Sequence, residues 1–348
     1  MNGELARRGA RVIMACRNLR KAEDAKNSLL EKYGADNPQS VNIDIACKQV
    51  ISSLSPIYSD QLIIEQLDLA SLQSIREFAR RITVNYLELH FLINNAGLAV
   101  SKYEETIDGF EITIGVNHFG HFLLTELLLP LLKRSIPSRI IILSSIAHYR
   151  GRLIKPDLQI QPKKYGEVKA YCLSKLANTM HAVELSERLH DSGITVVSVH
   201  PGVVKTEILR DVKSFALTTA CKYLYILMMV VIVLQESSSY SRTVLTFMLK
   251  IVTLMLVDSC FEFHMFFNCR NAVKCFIAVN RPRVISPWKG VQTIMYTVLS
   301  DNLISGGYYS NCALKEPSKI VKNKEEIIWL RNRTRELLGI DKLVTAND

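Results

Sequence analysis

The chain has 348 residues, 48% of them hydrophobic and 22% charged, with a mean hydropathy of +0.13. That composition excludes a disordered chain and gives ample apolar material for a large α/β domain. Eight cysteines without a CxxC pair exclude a disulfide scaffold and a zinc module, and point to a reducing compartment. The net charge of +10 comes from scattered Lys and Arg without a nucleic-acid signature. Nucleic acid is therefore set aside, leaving a solvated basic surface or an anionic ligand such as a phosphorylated cofactor.

Along the chain, residues 1–4 carry no apolar leader, and a helix-like stretch with Arg follows directly. Residues 11–16 read as a buried strand and 19–33 as a charged helix stopping near Gly34. Residues 36–61 form a Ser-rich connection, longer than such links usually need. Then come a strand at 62–67, a helix at 71–86, and a strand at 89–93 running into Asn94-Asn95-Ala96-Gly97. A long helix is expected at 110–133, a strand at 139–143 ending in Ser144-Ser145, a helix at 170–189, and a strand at 194–199 running into His200-Pro201-Gly202. Short apolar strands alternating with amphipathic helices give an α/β class with a doubly wound parallel sheet, both faces covered. Residues 220–285 break the rhythm with apolar runs at 223–234 and 243–257. Neither run reaches the roughly 20 residues of a membrane-spanning helix. Buried core helices are the favoured reading there, with a membrane-dipping element as the alternative. The whole chain is read as one domain with atypical insertions at 36–61 and 220–285.

The residues that carry chemistry begin with Tyr171-Cys172-Leu173-Ser174-Lys175. On a helix, Tyr171 and Lys175 share one face within side-chain reach. A free phenol has a pKa of about 10, and a nearby ammonium lowers it toward the range of a general acid or base. Ser145, at the end of a strand, offers a hydroxyl to hold a carbonyl or alcohol oxygen beside that phenol. Open α/β sheets bind ligands at the carboxyl ends of their strands. The small residues Ala96 and Gly97 and the Pro201-Gly202 pair let a ligand approach the backbone there. Arg17, after the first of these strands, suits the 2′-phosphate of a phosphorylated dinucleotide, where an acidic residue would suit a free ribose.

This ordered set resembles the short-chain dehydrogenase/reductase family, in its retinol dehydrogenase branch. The phrases that carry the resemblance are Ala15-Cys16-Arg17-Asn18, Leu67-Asp68-Leu69, Asn94-Asn95-Ala96-Gly97, Val116-Asn117-His118, Ala170-Tyr171-Cys172 with Ser174-Lys175, and His200-Pro201-Gly202-Val203-Val204. The C-terminal phrases Ser305-Gly306-Gly307-Tyr308-Tyr309 and Glu336-Leu337-Leu338-Gly339-Ile340 look like the same branch. The resemblance implies a Rossmann-like fold and a catalytic tetrad of Asn117, Ser145, Tyr171 and Lys175. Tyr171 would exchange the proton, Ser145 polarise the substrate oxygen, Lys175 lower the phenol pKa and hold the nicotinamide ribose, and Asn117 support a water in the proton relay. Ser144 competes for the serine role, and the family pattern favours Ser145.

The same resemblance implies an NADP(H) cofactor bound by Arg17, Asp68, Leu69, Asn95, Ala96, Gly97, Tyr171, Lys175, Pro201, Gly202, Val204 and Thr206. It also implies a lipophilic alcohol or carbonyl substrate, retinol and retinal among them. Peripheral membrane association at the endoplasmic reticulum comes with the branch; a cytoplasmic location would follow without its N-terminal anchor. The family's glycine-rich phosphate loop, of the form T-G-x-x-x-G-x-G, does not precede Glu4, and the first strand is expected to be absent with it. That strand is central in a doubly wound sheet. Its two neighbours must then close up, take in another segment, or leave a fold of low stability. A catalytically impaired interaction protein, or an incomplete gene model, is the alternative function that this departure supports.

Overall fold

The computed structural model describes residues 1–36, 54–204, 284–285 and 287–340. Residues 1–212 and 284–348 form one compact unit, to which all the described residues belong. In chain order they form α1 (Asn2–Ala6), β1 (Val12–Cys16), α2 (Leu19–Tyr33), β2 (Leu62–Gln66), α3 (Leu72–Asn85) and β3 (Phe91–Asn94). Helix α4 (Ile112–Arg134), β4 (Ser138–Leu143), α5 (Glu167–Arg188), β5 (Ile194–His200), β6 (Val203–Val204) and β7 (Val284–Ile285) follow. The chain then continues through α6 (Pro287–Leu299), β8 (Tyr308–Ser310), β9 (Ala313–Lys315) and α7 (Lys324–Leu337).

Strands β3, β4, β5 and β8 run parallel, and β9 closes that sheet antiparallel to β8. Strand β4 displays why its residues are nearly all apolar. Ile140 and Ile142 face the core formed by α4 and α5, with Leu128, Leu131, Leu173, Leu176 and Met180. Ile141 and Leu143 alternate onto the opposite face, against Val197, Val199, Tyr309 and the α6 residues Ile294 and Val298. Each such side chain contributes about 1.5–3 kcal/mol relative to an exposed position. Two of these strands, β8 and β9, and the helices α6 and α7 lie in the C-terminal stretch, where the sequence offered two family-like phrases but no elements.

The sheet is divided. Strands β1 and β2 pair parallel, with Val12 opposite Leu62 through Cys16 opposite Gln66. Among the described residues no ladder joins β1 to β3. Instead both strands line a cavity of about 1250 Å³, together with Met1, Leu5, Leu67 and Tyr86. Among the described residues, the strands on either side of that place have neither paired with each other nor taken in another strand. Helix α1 bridges the two parts: Leu5 packs against the core that holds Leu143 and Val199 on one side and against the core of Val12, Met14 and Leu62 on the other.

Three expectations are adjusted. The long helix begins two residues later than expected, and Gly115–Gly120 within it is π-helical. The Ser-rich connection is not wholly peripheral: Ile57 is 1% exposed, and its N–H donates to the Tyr33 carbonyl at 2.8 Å. Residues 37–53 of that connection, and the apolar runs at 223–234 and 243–257, lie outside the described residues. Among those described, α4 is the single helix long and apolar enough to cross a membrane. It is a core helix, with Leu123, Leu128, Leu131 and Leu132 buried.

Candidate active site

Strand β4 delivers two adjacent serines to different tasks. The Ser144 hydroxyl is buried and bonded into α5, 2.9 Å from the Lys175 carbonyl and 2.6 Å from Thr179 Oγ1. Ser145 is half-buried in extended backbone, and its Oγ accepts from the Ala147 N–H at 3.2 Å, opening a short helical turn over Ile146–Arg150. The Ser145 hydroxyl also faces the Tyr171 phenol, within reach of a side-chain interaction that favours the phenolate. Of the two serines, Ser145 is the one beside the tyrosine.

That turn reaches α5 because Gly151 ends it. A Cβ on Gly151 would lie 2.4 Å from Leu176 Cβ and 2.6 Å from the Cys172 carbonyl oxygen. Tyr171 and Lys175 stand one turn apart on α5, with Lys175 Nζ 5.5 Å from the Tyr171 ring centroid. Lys175 is 4% exposed, and its ammonium donates to the Leu143 carbonyl at 3.1 Å. Burial alone lowers its pKa to about 8.

Burial pushes the Tyr171 phenol above its ordinary value, and the Ser145 hydroxyl draws it part of the way back. The Lys175 ammonium gives one of its three donors to a strand-end carbonyl.

Asn117 is held by both ends of its side-chain amide. It is fully buried in the π-helical stretch, where an extra residue in the turn re-aims side chains. Its Oδ1 accepts from the Leu98 N–H at 2.8 Å, while its Nδ2 donates to the Leu98 carbonyl at 2.9 Å and to Ser174 Oγ at 3.0 Å. The side-chain amide therefore clamps the loop after β3 to α5, and it has no donor left for a relay water.

The cofactor candidates gather on the same side. Arg17, Asp68, Leu69, Asn95, Ala96 and Gly97 all line the large cavity, as do Val116 and His121. Arg17, Asn95 and Ala96 are exposed, while Asp68, Leu69, Gly97, Pro201 and Gly202 are half-buried. A Cβ on Gly97 would stand 3.3 Å from Asn117 Oδ1 and 3.4 Å from Lys175 Nζ, so a bare backbone is what brings this strand end against both. Asp68 is held in place by accepting from the Ala70 N–H at 2.9 Å. Val204 lies in β6 by its backbone, which pairs with Ile285; Thr206 lies outside the described residues. Arg17, Asp68 and Leu69 could hold the adenosine end of a dinucleotide, and Asn95 and Gly97 its nicotinamide end, with Lys175 close behind Gly97. Among the described residues no glycine-rich turn borders the crevice to receive the pyrophosphate.

Two residues escaped the sequence reading. Asn178 Nδ2 donates to the same Leu143 carbonyl as Lys175, at 3.0 Å. Its place one turn beyond Lys175 on the same helix face was the available signal. His148, three residues past Ser145, is fully buried, and nothing but that spacing marked it.

A model of the family described as short chain dehydrogenase matches residues 30–216. The chain is similar to retinol dehydrogenase 12 of Mus musculus, 36% identical over 339 residues that cover 97% of this chain and 81% of that protein. It is also similar to human retinol dehydrogenase 11, 44% identical over 207 residues, 60% of this chain and 57% of that protein. The crystal structure of an uncharacterized protein from Mycobacterium paratuberculosis superposes with a TM-score of 0.58 at 25% identity, covering 97% of this chain and 87% of that one. With the parallel sheet, the strand-end crevice and the Tyr-Lys helix already in view, the match settles the lineage: the chain belongs to the short-chain dehydrogenase family of oxidoreductases.

Proposed function

We propose that this chain is an NADP(H)-dependent oxidoreductase that interconverts a lipophilic alcohol and its carbonyl, of the retinol and retinal class. The observation that carries the reading is the pairing of the Ser145 and Tyr171 hydroxyls at the end of β4, with Lys175 buried one helical turn away. The names of the curated relatives supply the substrate class. Arg17 at the crevice supports the phosphorylated dinucleotide, because a guanidinium forms charge-assisted fork contacts with phosphate.

Bound, the nicotinamide supplies or accepts the hydride at the substrate carbon. The chain's own residues do the rest. Ser145 Oγ holds the substrate oxygen. Tyr171 gives that oxygen its proton in the direction of reduction and takes it back in oxidation. Burial keeps the phenol protonated at neutral pH, so it starts as an acid with its proton in place. Asn117 keeps the loop after β3 against α5, and Lys175 and Asn178 together hold the carboxyl end of β4 through the Leu143 carbonyl. A substrate that partitions into lipid suits work beside a membrane, and the endoplasmic reticulum is the proposed place.

Titration of the purified full chain with NADPH, followed by retinal reduction in detergent, tests the reading. Saturable binding is expected, with turnover lost by about 10²–10⁴-fold in Tyr171→Phe while NADPH binding persists. No binding of NADPH or NADH would overturn it in favour of a non-catalytic protein.

A further inference from the structure

His148 occupies a position that the proposed reaction does not use. Its ring is fully buried, packed 4.1 Å from the Tyr149 ring and 4.6 Å from the Tyr308 ring, centroid to centroid. Nδ1 lies 2.7 Å from the Ser145 carbonyl oxygen, and Nε2 lies 3.1 Å from the Ser318 backbone nitrogen. A carbonyl only accepts and a backbone N–H only donates, so the two partners select one state of the ring. Nδ1 carries the proton and Nε2 is a bare acceptor. A second proton would set Nε2–H against the Ser318 N–H. The surroundings agree: burial lowers the His148 pKa, and the neighbouring groups are the buried His200 on β5, Tyr308 on β8, Tyr149 on its own turn, and Glu316 beside Tyr149.

We propose that His148 is a positioning residue for Ser145: a neutral imidazole that ties the serine's carbonyl to the C-terminal segment and so fixes the turn presenting the serine hydroxyl to Tyr171. The inference rests on the proposed roles of Ser145 and Tyr171. The mechanical argument is local. Ser145 sits where an extended strand becomes a helical turn, and its Oγ is shared between the Ala147 N–H and the phenol. A hydroxyl so placed swings with its own backbone. His148 closes that backbone from one side, and Ser318 secures the ring from the other. Tyr149 adds a parallel tie, donating from its hydroxyl to the Glu316 carbonyl. The segment carrying Glu316 and Ser318 thereby becomes part of the serine's support, although it lies some 170 residues away in sequence.

Nuclear magnetic resonance on the isotope-labelled full chain tests this without relying on turnover. The Cζ resonance of Tyr171, assigned through Tyr171→Phe, reports the hydrogen bond at its oxygen. Ser145→Ala is expected to shift it. His148→Phe is expected to shift it by the same amount, with no further change in the double variant. His148→Asn, whose Nδ2 donates where Nδ1–H did, should leave it near the wild-type position. If His148→Phe fails to fold, Ser318→Pro carries the test. Ser318 has φ −55° and ψ 143°, a backbone that proline adopts, so the change removes the N–H donor together with a hydroxyl that caps no helix. The imidazole nitrogen resonances should read as the Nδ1–H tautomer in the wild type and as a tautomer mixture in Ser318→Pro. A Tyr171 resonance unmoved by His148→Phe but moved by Ser145→Ala would overturn the inference and leave the proposed function standing. A resonance unmoved by Ser145→Ala would instead remove the serine–tyrosine pairing on which both depend.

Discussion

Arg17 and Lys175 are the two cations of the site, and their surroundings divide the labour between them. Lys175 is buried, its ammonium given to a strand-end carbonyl and its pKa brought down to about 8. It shapes the site from within. Arg17 is exposed at the rim of the cavity, where β1 ends. A charge placed there is available to a ligand phosphate. If it reads a 2′-phosphate, Arg17→Asp should reverse the preference from NADPH toward NADH. A charged hydrogen bond worth about 1.5–3 kcal/mol translates to roughly 10–100-fold in the ratio of their dissociation constants. Parallel titrations of the two cofactors measure it; an unchanged ratio would remove Arg17 from the recognition of phosphate. Asn117 makes the complementary point. The residue type and its helix were legible in sequence, but its amide is consumed by Leu98 and Ser174. A π-helical stretch decides that, and no sequence period announces one.

At the scale of elements, the site is the meeting of β4 with α5, and Gly151 sets how closely they meet. A methyl group there would overlap both the Leu176 side chain and the Cys172 carbonyl. Backbone on one side leaves little room to relax, so Gly151→Ala should cost about 1–3 kcal/mol, as overpacking does. The expected readout is a lower urea midpoint with unchanged slope. Activity should fall further than stability does, because the displaced turn carries Ser145 and His148. An alanine tolerated without loss of stability would mean the turn can lift off α5. Helix α5 itself was expected at residues 170–189 and is observed at Glu167–Arg188, because its apolar period and the Tyr-Lys spacing both lie within one continuous element. Strands β1 to β5 were equally legible, since all are short apolar runs. What escaped was β8 joining the sheet beside β5, a pairing between segments 110 residues apart that no local pattern encodes.

Among the described residues of the whole molecule, burial lowers the pKa of His148 and of three further histidines. His118 is lowered to about 3, with the neighbouring His181 adding to the effect. His121 is lowered to about 4, with Lys175 among the causes. His200 is lowered to about 4, beside His148. An unfolded histidine titrates near pH 6.5. Each folded value is depressed, so unfolding takes up protons as the pH drops below about 6.5. Stability is therefore complete above that pH and falls as the pH descends toward the folded values. The loss is about 1.4 kcal/mol per pH unit for each histidine that must charge. Urea melts at pH 7.5 and pH 5.5 should separate clearly, and His121→Asn should narrow the gap by one histidine's share. Equal midpoints at the two pH values would contradict the buried neutral state. The divided sheet belongs to this scale too. The sequence left three outcomes for the strands at 11–16 and 89–93, namely closing up, taking in another segment or a fold of low stability; among the described residues β1 and β3 line a common cavity without pairing.

The sequence by itself determined the alternation of strands and helices, the parallel α/β class, the family, and the chemical types gathered at the strand ends. Those follow from local periodicity and from motifs whose residues lie within a few positions of one another. Tertiary structure alone decided what each group is free to do. It bonded Ser144 into α5 and left Ser145 to the phenol, turned Lys175 toward Leu143, and closed Asn117 onto Leu98. It also brought Ser318 to His148. The physical reason is common to all: a buried polar group must find a partner, and which partner it finds is fixed by packing between elements distant in sequence.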